Sequence, residues 1–115
     1  MAKLIYKICS AGLWQEAERT GKFGGAPVDL ADGYIHFSTE AQLRETATKH
    51  FSGQADLLLV AVDEEALGEA LRYEPSRGGQ LFPHLYALLD LSSVRWVKPL
   101  PLGEDGGHLF PPLGP

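Results

Sequence analysis

Tyr34, His36 and Ser38 occupy alternate positions of YIHFS, and Phe82, His84 and Tyr86 do the same in FPHLY. Side chains of a strand alternate between its two faces, so each triplet aims an imidazole and its polar or aromatic neighbours to one side, while Ile35 and Phe37 turn toward a core. An imidazole gives and takes protons near neutral pH, and adjacent hydroxyls donate and accept hydrogen bonds. Together they suit ligand binding or proton transfer. On neighbouring strands the two faces would make one cleft. His36 equally fits a half-buried ring bonded to a nearby carbonyl. Between the triplets, Ser76-Arg77-Gly78-Gly79 joins a guanidinium to two residues whose backbone is free to curl amide groups around an anion. A phosphate cradle and a solvated surface turn both fit that string. Glu74, just ahead of it, adds a carboxylate.

The elements that must position these groups follow from local chemistry. KLIYKIC, residues 3–9, is rich in β-branched and aromatic residues and predicts a strand. Ser10 caps a helix over 12–20, and Gly21 stands where helices stop. GKFGGAPVDLADG, residues 21–33, carries four glycines and a proline and reads as a long loop of the kind that covers sites. Asp32-Gly33 turns the chain into a strand over 34–38. Thr39 with Gln42 forms a capping box, and Leu43, Ala47 and Phe51 make the buried face of the helix that follows. Its amino end, beside Ser38, favours an anion. LLLVAV, residues 57–62, is apolar without alternation, as in a central strand covered on both faces. Asp63 caps a short helical turn, and 71–74, 81–89 and 94–100 read as strands, with Pro83 directing the second of these to a sheet edge. The expected architecture is α+β, one compact domain over residues 1–100 with a mixed or split sheet of about five to six short strands and two main helices. Five of the eight prolines and four glycines fall between Pro99 and Pro115, so 101–115 is expected as an extended tail.

Composition narrows the function classes. A chain of 115 residues holds one core and buries roughly two thirds of its unfolded surface. A formal net charge of −5 opposes broad nucleic-acid binding, which needs clustered cations. The single cysteine, Cys9, forms no internal disulfide and suits a reducing cytoplasm. The first residues lack the apolar run of a signal peptide, and nothing approaches the roughly 18 apolar residues of a membrane span. His36, His50, His84, His108 and Cys9 show no H-x-x-x-H or C-x-x-C spacing, so no metal is expected. Trp14 and Trp96 read as core anchors, and His50 as a boundary residue. The partner these features leave is a small molecule.

With IYKI, Trp14, DGYIHFST, Gln42, LLLVAVD and SRGG…FPHLY in this order, the chain closely resembles domain-of-unknown-function family 952 over residues 4 to 100. That family is similar to the ADP-ribosyltransferase fold superfamily, RNA 2′-phosphotransferases in particular. The resemblance implies a nucleotide-like ligand, with NAD as cosubstrate, and transfer of an ADP-ribosyl or phosphoryl group. It places Tyr6 on the aromatic of the first strand motif and His36 with Ser38 on the histidine-x-serine of the second, where His36 would bond a ribose hydroxyl and Ser38 would steady the pocket wall. Arg77 would meet a diphosphate by its chemistry, and Tyr6 or Tyr86 would stack on nicotinamide. Breaking the nicotinamide–ribose bond develops positive charge on the sugar, which the Glu74 carboxylate would stabilise. Where the phosphotransferases carry histidine after the first-strand tyrosine, this chain has Lys7, which favours a noncatalytic nucleotide-binding module. Metal-free acid/base work by His36 and His84 on a phosphoester is a third reading.

Overall fold

Ser10 closes one element and opens the next. The computed structural model describes residues 3–114, apart from the Arg77 side chain. β1 (Leu4–Ser10) ends where the Ser10 hydroxyl accepts the Leu13 backbone N–H at 3.2 Å and caps α1 (Ala11–Thr20). Gly21, with φ 84°, stops that helix as expected. The segment read as a loop over 21–33 is structured instead, with β2 (Lys22–Phe23) followed by α2 (Pro27–Asp32). Composition concealed α2 because its start is written in proline: at the first helical position the missing N–H costs nothing, and the Asp29 carboxylate two residues on accepts the Ala26 N–H at 2.8 Å.

β3 (Ile35–His36) is only two residues long. α3 (Glu40–His50) opens with Thr39 donating its N–H to the Gln42 side chain at 3.1 Å, half of the anticipated capping box. β4 (Leu57–Asp63), β5 (Leu71–Pro75), β6 (Leu81–Leu85), β7 (Leu89–Asp90) and β8 (Val94–Leu100) follow, with 3₁₀ turns between some of them. The described residues thus hold eight strands, not five to six, in three antiparallel sheets: β1-β4-β8, β2-β7 and β3-β6-β5. Tyr6 and Ser38 exchange backbone hydrogen bonds of 2.8 and 2.9 Å, which stitch β1 to the chain just past β3.

The apolar run of β4 is the centre of its sheet, as its lack of alternation predicts. Ile5, Cys9, Val60 and Val62 pack on one side with Trp14, Phe23, Ile35 and Phe37; Leu4, Tyr6, Ile8, Leu59 and Ala61 pack on the other with Leu43 and Ala47 of α3. β6 is also central, which corrects the edge placement of Pro83. The Phe37 N–H donates to the Pro83 carbonyl at 2.9 Å, so the missing proline N–H lies on the β3 side. That ladder stops there, and the pairing with β5 loses nothing. Residues 101–114 return to the body: Phe110 and Leu113 pack against the α3-side core, and the Trp96 indole donates to the Gly114 carbonyl at 2.7 Å. No helix among the described residues is long and apolar enough to cross a membrane.

Candidate functional site

In the β3-β6 register His36 faces His84, so the two alternating faces read from the sequence do adjoin. The imidazoles meet edge to face with centroids 5.4 Å apart. A cavity of about 510 Å³ opens beside them. Tyr6, His36, Ser38 and His84 all line it, as do Lys7 and Thr46. Asp32 lines it too, and Ile8, Val28, Phe37, Phe51 and Phe82 supply apolar wall between the polar groups, a mixture usual in a small-molecule site.

One stretch of wall is organised by Asp29, which sequence reasoning missed. Its carboxylate is 1% exposed and accepts from Lys7 Nζ at 2.8 and 3.0 Å, from the His36 ring Nδ1 at 2.6 Å, from the His36 backbone N–H at 3.1 Å and from the Ala26 N–H. Burial alone would raise the pKa of this carboxyl; the hydrogen bond from His36 and the charge and hydrogen bond of Lys7 outweigh it and hold the group at about 2. Asp32 completes the grip on His36, with Oδ2 3.0 Å from Nε2. Gly25 makes room for this hub: with φ 117°, a Cβ there would lie 2.7 Å from that of Asp29. The legible signal was A-P-x-D, a proline at the first helical position and an acid two residues later. Lys7, 6% exposed, was the other signal, a lone charge within an apolar strand.

The adjoining stretch of wall, at His84, is organised from behind by Glu74. His84 is fully buried, and its Nδ1 lies 2.9 Å from Glu74 Oε1, which also accepts the Tyr86 hydroxyl at 2.6 Å. The Tyr86 and His84 hydrogen bonds hold the Glu74 carboxyl below its ordinary range, and the same contact raises the Tyr86 phenol. Tyr34 stacks on His84 with centroids 4.2 Å apart and also touches His36 and Tyr86. His84 Nε2 is buried and has no hydrogen-bond partner among the described residues.

The expected site residues therefore divide. Tyr6, His36, Ser38 and His84 share the cavity, whereas Glu74 and Tyr86 stand outside its wall and reach it through His84. Ser38 Oγ lies 2.8 Å from Thr46 Oγ1, and the Tyr6 hydroxyl accepts the Gly114 N–H at 3.2 Å. The Arg77 side chain lies outside the described residues. In the SRGG turn Gly78 and Gly79 have positive φ, as the string suggested, but the Ser76 N–H donates to Gln80 and the Gly79 N–H to Ser76, so two of its amides close the turn on itself. His50 and Ser76 line the cavity as well, which sequence reasoning did not foresee. Burial pushes the Cys9 thiol up to about 11, which removes its nucleophilic form at neutral pH. Among the described residues no cluster of three or more His, Cys, Asp or Glu is arranged for a metal.

The family described as "Protein of unknown function (DUF952)" matches residues 8–97. No curated protein matches the chain. The X-ray structure of protein CC0527 from Caulobacter crescentus is 52% identical, with 92% of this chain and 93% of that one covered and a TM-score of 0.89. The solution NMR structure of the same protein gives 53% identity, 90% coverage of both chains and a TM-score of 0.82.

Proposed function

This chain belongs to the DUF952 family of proteins of unknown function, and on that footing we propose that it binds NAD, ADP-ribose or a related nucleotide and transfers an ADP-ribosyl or phosphoryl group in the bacterial cytoplasm. The observation that carries this reading is the convergence of Tyr6, His36, Ser38 and His84, from three stretches of chain, on one cavity with apolar walls. His36 and Ser38 hold a ribose through its hydroxyls, and the apolar walls take the base or nicotinamide. The body, whose two three-stranded sheets are stitched at Tyr6 and Ser38, is in this reading a compact relative of the ADP-ribosyltransferase fold. Electrostatics supports a substrate that gains positive charge: Asp29 and Lys7 cancel each other, which leaves the Asp32 and Glu74 carboxylates against the paired imidazoles. A ribosyl centre that becomes cationic as its glycosidic bond breaks is stabilised by such carboxylates. Glu74 contributes through His84, not by direct contact.

A second reading, metal-free phosphoester chemistry, is favoured by the two imidazoles 5.4 Å apart, each with Nδ1 on a carboxylate. One takes a proton and the other gives one.

Thermal melting against NAD, ADP-ribose and phosphorylated ribonucleotides, followed by chromatography of the mixtures, separates the outcomes. A ligand at about a hundredfold excess over its dissociation constant adds roughly 2.7 kcal/mol of stability. A shift with NAD and release of nicotinamide is the expected result. A shift without turnover identifies a binding module, hydrolysis of a phosphoester that needs both histidines and no NAD identifies the second reading, and no shift with any of them overturns nucleotide binding.

A further inference from the structure

His84 is arranged for more than ligand contact. The residue is 2% exposed, lines the cavity, and leaves Nε2 buried without a partner among the described residues. Such an orphan is costly unless a bound molecule supplies the missing hydrogen bond. Nδ1 is directed at Glu74 Oε1, 2.9 Å away, and a carboxylate only accepts. Nδ1 therefore carries the proton, and in the neutral ring Nε2 presents a bare lone pair. The ring is held in place as well: Tyr86 fixes Glu74 through the same oxygen, and Tyr34 lies over the imidazole at an interplanar angle of 30°. A histidine oriented at one nitrogen by a carboxylate, with the lone pair of the other unengaged, is the arrangement that withdraws a proton from a hydroxyl. His36 differs. Both of its nitrogens already meet carboxylates, Asp29 and Asp32.

Resting on the nucleotide reading of this cavity, we propose that His84 is the catalytic proton acceptor for an oxygen nucleophile, water or an alcohol, and that Glu74 is its positioning residue. The substrate class on the other side of the reaction is an N-ribosyl pyridinium. The hydroxyl oxygen bonds to the ribose C1′ as the C1′–N bond breaks, the bonding pair stays on the nitrogen, and the pyridine leaves neutral. The hydroxyl proton passes to His84 Nε2, and the resulting imidazolium faces Glu74. Other acceptors suit the site less well. A carboxylate brings no proton and adds negative charge beside Asp32 and Glu74, while a guanidinium has no lone pair to attack with.

The test begins without substrate. In ¹⁵N imidazole spectra of the free protein, His84 is expected as the Nδ1–H tautomer, and Glu74→Ala, a substitution at a partly exposed side chain, redistributes it between tautomers. Turnover is then followed with NAD in the presence of methanol. Wild type is expected to form the methyl glycoside alongside ADP-ribose, Glu74→Ala to lose about tenfold or more of the rate with NAD affinity unchanged, and His84→Ala to lose about 100-fold or more, restored in part by added imidazole. An Nε2–H tautomer in wild type, or a Glu74→Ala protein that turns over normally, overturns the proposal even if His84→Ala fails to fold. NAD bound tightly by wild type but never consumed overturns this step and leaves nucleotide binding standing; failure of NAD to bind removes both.

Discussion

Two carboxylate–imidazole pairs lie side by side at one cavity, on the adjoining strands β3 and β6, and differ in how completely they are satisfied. Asp29 accepts five contacts from four groups, is 1% exposed and ties β1, α2 and β3 together through Lys7, Ala26 and His36. Glu74 accepts two, from Tyr86 and His84, at the edge of the third sheet, and one imidazole nitrogen stays unpartnered among the described residues. A saturated buried network builds a wall, because every polar group in it already has its lowest-energy partner. An incomplete one waits for a ligand. The difference teaches which histidine positions and which acts: His36 is held at both nitrogens, and His84 at one.

The largest expected effect falls on the saturated side. Asp29→Ala leaves the Lys7 ammonium buried without its counter-charge and is expected to destabilise the protein by about 3–5 kcal/mol in denaturant titration. Pairing it with Lys7→Met removes the stranded charge, so the double variant is expected to recover much of the loss. If Asp29→Ala alone unfolds at the wild-type midpoint, the distinction between the two pairs collapses. Acid tests the same carboxylate. Its pKa is about 2 in the folded chain and near 4 when unfolded, so the unfolded state takes up the proton first as the pH falls. The stability it contributes is complete above about pH 4 and is lost toward pH 2. Unfolding free energies measured down that range are expected to fall more steeply in wild type than in Asp29→Asn; parallel curves would refute the assignment.

Ser38→Ala is expected to have a smaller effect, about 1 kcal/mol from the lost hydrogen bond to Thr46, together with weaker binding of any nucleotide that shifts the melt. Smallest of all is the expected effect of Glu74→Gln on stability. The side chain is one-third exposed and an amide oxygen in the Oε1 position still accepts from both Tyr86 and His84, so the melting temperature and the His84 tautomer are expected to stay with wild type while turnover falls for want of the carboxylate charge facing the imidazolium. A large drop in melting temperature would make Glu74 a structural residue like Asp29 and erase the contrast.

Much of the local architecture was legible in residue order. Ser10 and Gly21 bound α1, Thr39 and Gln42 open α3, and 57–62 runs through the centre of its sheet, because caps, left-handed stops and two-sided burial act over a few residues. The facing of His36 and His84 was legible as an alternation, though not as a register. Three readings went astray for a shared reason. β2 within the glycine-rich stretch 21–33, the central place of Pro83 and the eight strands in three sheets were missed because in each case a partner distant in sequence supplied what the local composition lacked.

By itself, then, the order of residues determined which side chains share a face and where helices begin and end, since those depend on backbone geometry over one or two turns. Only tertiary structure decided that Lys7, Asp29 and His36 would meet, and that Glu74 would reach the cavity through His84 and not directly. Residues 7 and 29 are 22 positions apart, and a buried charge selects its partner by proximity in the folded core, where the cost of leaving it alone is high.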